Sequence, residues 1–580
     1  MRLFTWGEIL KMTGFSKIAT KRELAEYLGI PYKKLTYILY NVGVDNLYYS
    51  FDIPKKSGGI RQINAPMEEL KQIQQKLAMA LYEHQKSVWN ERNIHPNISH
   101  GFEKGKTIVT NAQIHRNKRF VINVDLENFF DSFHFGRVCG FFEKNRDLLL
   151  TKDVATVIAQ LCCYNGRLPQ GAPTSPVITN LICQIFDMRV LKIAKKHHLD
   201  YTRYADDLTF STNDKSFIER WDKFYKTLSE ETERAGFQIN SKKTSFRFKD
   251  SHQTVTGLTV NQKINVDHRY YKKVRAMANS LYRNGYFKIE DEEGNMKQLE
   301  GKFAFIDKLD KYNNKIDVFC QHDNCSLNGR EQQYQQFIFY KYFFANEKPL
   351  IVTEGKTDIK YLKAALKNLC EEYPSLIEKA ENGEFNFKIS FLIRSKKLKY
   401  FFGVGQDGGD AMKNLYFYFS DGGGKNIPNY LERFMKLSGN QPSNPVILIF
   451  DNEINKKGKP IYTFLTQAAH LSKEQKEELK NNLSIRLTGK GNLFLLTNPL
   501  IDGAEESEIE DLFDEKTLSH KIGEKEFNRN AKADSDKFYG KEIFSQYISS
   551  NYRDIDFSGF RPLLSNIQNV VLTYSKSMEL

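Results

Sequence analysis

Three carboxylates carry the first chemical signal. Asp125 closes the apolar run Phe120-Val-Ile-Asn-Val124. Asp206 and Asp207 sit in Tyr204-Ala-Asp-Asp207, between the β-like runs Tyr201-Thr-Arg203 and Leu208-Thr-Phe-Ser-Thr212. A strand end and a hairpin turn can bring three such groups to one point. Carboxylates so crowded repel one another unless divalent cations neutralise them. Mg²⁺ is hard, oxygen-ligated and commonly shared with substrate phosphates. Two such ions can activate an attacking hydroxyl and stabilise a leaving pyrophosphate. The competing reading of an isolated Asp-Asp turn is a solvated loop.

A second set lies further along. Pro349-Leu-Ile-Val-Thr353 reads as a buried strand that delivers Glu354, and Gly355 lets the chain turn into a helix. Pro445-Val-Ile-Leu-Ile-Phe450 delivers Asp451-Asn-Glu453 in the same way. Ligands of α/β sheets collect at that strand edge. Between them, Asp421-Gly-Gly-Gly-Lys425 is a loop suited to backbone approach to phosphate.

The elements that must position these groups follow from periodicity and turn residues. Two short helices fit 20–42, joined at Gly29–Pro31, as a helical cap or a helix-turn-helix. A hairpin over 47–66 turns at Lys55-Lys-Ser-Gly-Gly59, and a helix spans 67–85. A strand covers 119–125, with helices at 136–163 and 175–197. After the Asp206–Asp207 hairpin come a helix at 217–236, a strand pair at 237–249, and basic helices at 268–284 and 297–312. Residues 313–330 are polar and irregular. The cluster Cys320, His322 and Cys325 lacks a second ligand pair, so a plain loop is expected there rather than zinc.

The chain has 580 residues and a formal net charge of +14, with 51 Lys+Arg against 37 Asp+Glu in 1–330 and 34 of each in 331–580. The whole excess lies in the first part, which suits a polyanion partner. With 40% hydrophobic residues, disordered and low-complexity classes are excluded. No apolar run approaches the roughly 18 residues of a membrane span. The N-terminal stretch has no secretory pattern, and the seven cysteines are sparse. A cytoplasmic location and no membrane partner are expected.

Tyr204-Ala-Asp-Asp207 resembles the catalytic box of reverse transcriptases, and four more boxes agree in order. Asp125 opens Asp-Leu-Glu-Asn-Phe-Phe130, like the family's first catalytic box. Arg61, with Lys55 and Lys56 in the preceding hairpin, resembles the fingers residues that hold the incoming triphosphate. Leu168-Pro-Gln-Gly-Ala-Pro-Thr-Ser-Pro176 resembles the template- and nucleotide-positioning box, centred on Gln170 and Gly171. Asn240-Ser-Lys-Lys-Thr244 resembles the next, where Lys243 would donate to the leaving pyrophosphate. Phe130 matches the aromatic gate that excludes a ribose 2′-OH. The resemblance implies deoxynucleoside triphosphates as substrates and a two-Mg²⁺ site on Asp125, Asp206 and Asp207.

Asn111-Ala-Gln-Ile-His115 is similar to the NAxxH motif of retron reverse transcriptases, and Val255-Thr-Gly257 to their VTG motif. A bland reading of His115 is a surface histidine. The resemblance implies a bacterial enzyme that pairs with its own noncoding RNA, primes from a 2′-OH of that RNA, and makes a short branched RNA-linked single-stranded DNA. Asn111, His115, Val255, Thr256 and Gly257 would then contact RNA. So would Lys272, Lys273 and Arg275, whose cations interleave with Tyr270, Tyr271, Tyr282 and Tyr286. The bland alternative for that helix is a solvated basic face.

The second carboxylate set resembles the TOPRIM domain of topoisomerases, primases and overcoming-lysogenization-defect nucleases. There a glutamate and an AspxAsp pair hold Mg²⁺ for phosphodiester chemistry. Here the pair is Asp451-Asn-Glu453, one methylene longer at its second member. Glu508-Ile-Glu510 and Tyr539-Gly-Lys541 resemble later nuclease elements, with Glu510 as a further metal ligand and Lys541 stabilising developing charge. The resemblance implies an effector in anti-phage defence whose nucleic-acid target is open, as is homo-oligomerisation.

The expected fold is multidomain, α+β and α/β: a right-hand fingers-palm-thumb reverse transcriptase followed by a Rossmann-like TOPRIM domain. The expected boundaries are an N-terminal helical segment at 1–46, fingers and palm at 47–261, thumb at 262–330, a linker at 331–347 and the effector at 348–580. Two alternatives stay open. One is a non-catalytic TOPRIM-fold binding module; the other is a group II intron-like mobile-element enzyme.

Overall fold

The computed structural model describes residues 14–55, 58–94, 96–314, 327–405, 410–421, 427–501, 503–531 and 536–579. Lys56, the Cys320–Cys325 cluster and the Gly422–Lys425 loop lie outside them. The chain divides into two compact units, 1–267 and 268–580.

The first unit opens with helices α1 (Lys21–Tyr27) and α2 (Tyr32–Tyr37). Thr20 and Glu23 close a reciprocal capping box at the start of α1. Hairpin strands β1 (Tyr48–Pro54) and β2 (Ile60–Pro66) pair antiparallel from Tyr48↔Pro66 to Pro54↔Ile60, as the sequence predicts. Then come α3 (Glu68–Glu91), α4 (Ile108–Ile114), β3 (Phe120–Glu127), α5 (Phe135–Lys144), α6 (Lys152–Cys162) and α7 (Ser175–Lys196). Strands β4 (Asp200–Tyr204) and β5 (Asp207–Thr212), helix α8 (Phe217–Arg234) and strand β6 (Gln238–Phe248) complete an antiparallel sheet of order β4-β5-β3-β6. A two-residue hairpin, β7 (Thr254–Val255) and β8 (Leu258–Thr259), follows.

The sheet's apolar face is buried beneath helices. Ile122, Val124, Leu208 and Phe210 join Val177, Ile178, Phe186 and Phe224 in one core. The expected strand pair at 237–249 is instead one long strand. Its register with β3 shifts between Asn123 and Asp125, and that irregularity, rather than a turn, absorbs the polar Asn-Ser-Lys-Lys stretch.

The second unit begins with α9 (His268–Asn284), α10 (Met296–Asn314) and α11 (Gly329–Phe339). Residues 331–347, expected as a linker, are corrected here. Most of them form α11 and a following π-helical turn, Tyr340–Phe344, and Tyr334, Phe337, Ile338, Phe339, Phe343 and Phe344 are buried. The buried Gln335 is used inside: it donates to the Phe401 carbonyl and the Tyr418 hydroxyl and accepts from Tyr430. The thumb-like helices share this core, with Tyr282 against Tyr340 and Phe303 against Tyr334 and Phe337. They belong to one compact unit with the residues after 348, not to a separate domain.

The rest of that unit is a sheet of β9 (Leu350–Thr353), β10 (Ser390–Phe391), β11 (Val446–Phe450), β12 (Ser484–Arg486) and β13 (Leu493–Thr497). The order is β10-β9-β11-β13-β12, parallel except for the antiparallel edge strand β12. Helices α12 (Asp358–Asn368), α13 (Tyr430–Ser438), α14 (Lys541–Ser550) and α15 (Arg561–Glu579) accompany it. The α/β expectation for this part agrees with the architecture. Among the described residues no helix is long and apolar enough to cross a membrane.

Candidate active site

Asp125 on β3 lies opposite Asp207 on β5, and the Leu126 N–H donates to the Asp206 carbonyl at 3.0 Å. The three acids therefore meet at one end of two paired strands. Ala205 takes φ 57° to close the turn. A Cβ added to Gly101 would lie 2.5 Å from the Ala205 nitrogen, so only glycine lets that segment run against the turn. The same segment is tied to β4 by His100 N–H to Arg203 carbonyl and Arg203 N–H to Ile98 carbonyl, both 2.8 Å.

Burial and the charges on Asp206 and Asp125 push the Asp207 carboxyl up to about 7. Asp206 is raised too, by burial and Asp125, with Lys243 and Arg61 pulling the other way. Lys243 Nζ stands 3.1–3.2 Å from both Asp125 oxygens. Arg61 and Lys243 therefore both act electrostatically on the carboxylate cluster. Phe130 is half-buried, its ring 5.5 Å from Phe129 and 6.3 Å from Phe102. Lys55 is exposed and closes the fingers hairpin through its N–H to the Gly59 carbonyl at 2.9 Å.

The Gln170–Gly171 loop is clasped by the fingers hairpin. Asn64 N–H donates to the Gln170 carbonyl at 2.8 Å. Gly171 has φ 128°, and a Cβ there would lie 2.7 Å from the Asn64 carbonyl oxygen.

Asn111 and His115 are corrected. Neither is at the surface: both are fully buried. His115 Nδ1 meets Ser211 Oγ at 2.8 Å and Nε2 meets Thr202 Oγ1 at 2.7 Å, and Thr202 donates to Asn111 Oδ1 at 2.5 Å. These two residues rivet α4 to β4 and β5 and cannot touch RNA as folded. Val255 is likewise core. Thr256 and Gly257 occupy the β7–β8 turn with φ 47° and 80°, and only Gly257 is exposed. Lys272, Lys273 and Arg275 are exposed on α9 in the second unit.

Sequence reasoning missed Asp187 and Arg203. The wholly buried Arg203 takes both Asp187 oxygens at 2.8 Å and donates to the Ala205 carbonyl at 3.1 Å and to Asn180 Oδ1 at 3.2 Å. The available signal was one acid in α7 and one arginine in β4, each among other polar residues of its element and so not set apart by the sequence.

In the second unit, β9 and β11 end side by side, with Thr353 opposite Ile449, and β13 pairs Thr497 with Phe450. Glu354, Asp451 and Asn498 thus follow three adjacent strand ends. The Asp451 N–H meets the Glu354 carboxylate, and burial, Asp358 and Glu453 push Glu354 up to about 7. Asp451 accepts from Asn498 Nδ2 at 2.9 Å and from the Ile509 N–H at 3.0 Å, and it too is raised, by burial and then Glu354. Asp358, unmarked by the sequence, accepts from the Gly355 N–H at 2.7 Å. Glu453 is buried and ion-paired with Lys459. Lys541 bridges Glu508 at 3.2 Å and Glu510 at 3.1 Å. Burial lowers the Lys541 pKa, but those two carboxylates outweigh it and hold the ammonium well above its ordinary value.

Both sets are crowded, partly desolvated oxygen donors, a chemistry that fits a hard divalent cation. Among the described residues, no group of three His, Cys, Asp or Glu side chains is already drawn into a metal-binding arrangement.

Residues 53–261 match the reverse transcriptase (RNA-dependent DNA polymerase) family. The antiparallel sheet with its three clustered acids falls inside that span, and the chain is an RNA-directed DNA polymerase by class. It is 31% identical to the retron Ec86 reverse transcriptase of Escherichia coli, over 52% of this chain and 93% of that enzyme. It is 32% identical to the retron Mx65 and Mx162 enzymes of Myxococcus xanthus, covering 45% and 52% of this chain and 61% and 66% of theirs. A telomerase from Candida albicans solved with a fragment of telomeric RNA aligns at TM-score 0.31 and 11% identity, over 51% of this chain and 60% of that one. The chain belongs to the retron reverse transcriptases.

Proposed function

We propose that this polymerase makes a short single-stranded DNA joined by a branch to its own noncoding RNA, priming from a 2′-OH of that RNA, in the bacterial cytoplasm. The observation that supports it most is the meeting of Asp125, Asp206 and Asp207 at one strand end. These carboxylates would hold Mg²⁺, which when bound supplies charge neutralisation for the attacking hydroxyl and the leaving pyrophosphate. Arg61 and Lys55 grip the triphosphate of the incoming nucleotide. The Gln170–Gly171 loop sets the nucleotide against the template, and Phe130 excludes a ribose 2′-OH. Lys243 leaves Asp125 to meet the pyrophosphate as it departs. Lys272, Lys273 and Arg275 track the nucleic-acid backbone. Asp206→Asn should abolish DNA synthesis with the fold intact; retained synthesis overturns the assignment. Sequencing nucleic acid that co-purifies with the chain tests the product. A short branched RNA–DNA molecule supports this reading, and a long spliced intron favours a mobile-element enzyme instead.

For the second unit we propose a TOPRIM-like, Mg²⁺-dependent nuclease serving anti-phage defence. Glu354, Asp451 and Glu453 would hold one ion and Glu510 contribute to another, while Lys541 stabilises developing negative charge. The parallel strand ends that carry Glu354 and Asp451 support it. A second reading, a binding module without catalysis, draws on the Lys459 ion pair that occupies Glu453. Equal host toxicity of the wild type and Glu354→Ala would favour the module, and loss in the variant the nuclease.

A further inference from the structure

A groove of about 870 Å³ runs between α9, α11 and α13, all within the second unit. Lys272, Arg275 and Arg283 line it from α9, and Arg433 and Lys436 from α13. Among the described residues Glu432 is the one acid that lines it, and Lys436 sits 2.6 Å from it. The excess of positive charge is therefore large for so small a space. At its wall lies Tyr282, 3% exposed, whose hydroxyl finds no hydrogen-bond partner among the described residues. Its ring packs on Tyr340 and Phe434, 4.9 Å from each. That hydroxyl is closed off from the groove, so the groove's polar contacts are those of the five cations along its walls.

We propose that this groove is a binding site for a single-stranded segment of nucleic acid, in which Arg433 and Lys436 from one wall and Lys272, Arg275 and Arg283 from the other hold successive phosphates. The volume falls within the roughly 300–1,000 Å³ of sites that enclose a small ligand, which suits a few unpaired nucleotides and not a duplex. A positively charged groove that tracks the backbone is a usual means of holding a single strand. The inference rests on the reading of α9 as a nucleic-acid-binding helix and extends it to α13. One strand would then be held jointly by the thumb-like helix and by a helix of the effector part. Its occupancy would be felt by both.

The test uses the full-length chain freed of endogenous nucleic acid and a fluorescent single-stranded RNA oligonucleotide read by anisotropy. Arg433 and Lys436 are exposed, so Arg433→Ala/Lys436→Ala should fold normally. It should bind the oligonucleotide at least about tenfold more weakly, with the slope of log affinity against log salt shallower by about 0.7 per lost phosphate contact. Ultraviolet cross-links to the peptide carrying α13 should vanish in the double variant. Unchanged affinity and salt slope in that variant overturn the groove. So does displacement of the oligonucleotide by polyglutamate or by a mononucleotide at equal affinity, which would assign the groove to an acidic peptide or a free nucleotide. Asp206→Asn, read by DNA synthesis, reports on the palm alone, so failure of either reading can be told from failure of the other.

Discussion

Arg203 takes both carboxylate oxygens of Asp187 inside the core and passes a further hydrogen bond to the carbonyl of Ala205, the residue before Asp206. The ion pair is thus a brace behind the turn that presents two of the three acids.

Breaking one side of a buried pair strands the other charge, at a cost of about 3–5 kcal/mol. Asp187→Asn should therefore lower the melting temperature sharply. Arg203→Lys keeps a positive charge but loses the forked grip on Asp187 and the reach to Ala205. We expect a smaller loss of stability and a fall in kcat of about 10²-fold, the typical result of misplacing a catalytic group by an ångström, with KM for the nucleotide little changed. Equal losses in kcat and stability across both variants would show that the brace serves folding only.

The carboxylates of the palm were legible because chemistry and turn signals coincide: an Asp at the end of an apolar run and an Asp-Asp pair in a hairpin leave few other roles. The parallel strand ends bearing Glu354 and Asp451 were legible for the same reason. The Asp187–Arg203 brace was not, because the partners sit on a helix and a strand and only tertiary packing pairs them. The short motif around Asn111 and His115 was visible, but its role was misread. A polar motif looks like a contact surface until one sees that Thr202 and Ser211 meet it inside. Residues 331–347 failed in the opposite sense: the expected linker is core, and its Gln335 bonds to two tyrosines inside.

Gly171→Ala tests the clasp between the fingers and the Gln170 loop. With φ at 128° and the Asn64 carbonyl 2.7 Å from the new methyl, the loop must shift. Strain of about 1–3 kcal/mol would be relieved by releasing β2. DNA synthesis should fall at least about tenfold, with KM for the nucleotide rising, while far-ultraviolet circular dichroism stays unchanged. Wild-type KM in this variant would mean the loop does not position the nucleotide.

His115 gives the protein a predictable acid sensitivity. Burial, then the neighbouring Lys118 and His100 charges, push its pKa down to about 3, from an ordinary 6.5. A folded-state pKa below the unfolded one means the stabilisation is complete above pH 6.5 and is lost as pH falls from there toward 3. His115 alone should cost about 2 kcal/mol between pH 7 and pH 5. His100, pushed down to about 4 by burial and Lys106, adds in the same direction. His115→Gln retains groups that can bond Ser211 and Thr202 and cannot take up a proton. Urea denaturation should find it less stable than wild type at pH 7 but with a flatter pH dependence. A pH slope identical to wild type would assign the sensitivity elsewhere.

Magnesium should stabilise the two units separately. Asp206 belongs to the unit 1–267 and Glu354 to the unit 268–580, and each stands in a crowd of partly desolvated carboxylates that a divalent cation would relieve. A ligand that binds only the folded form adds about 2.7 kcal/mol when present at a hundredfold its Kd. Calorimetry of the chain in chelator and then in excess Mg²⁺ should therefore show an upward shift with two separable parts. Asp206→Asn should remove the part belonging to the first unit and spare the other. Glu354→Gln should do the reverse. The double variant should lose the sum, because sites without shared partners add. If Glu354→Gln leaves the magnesium shift whole while Asp206→Asn abolishes it, the second carboxylate cluster holds no metal, and the non-catalytic reading of that unit gains the ground.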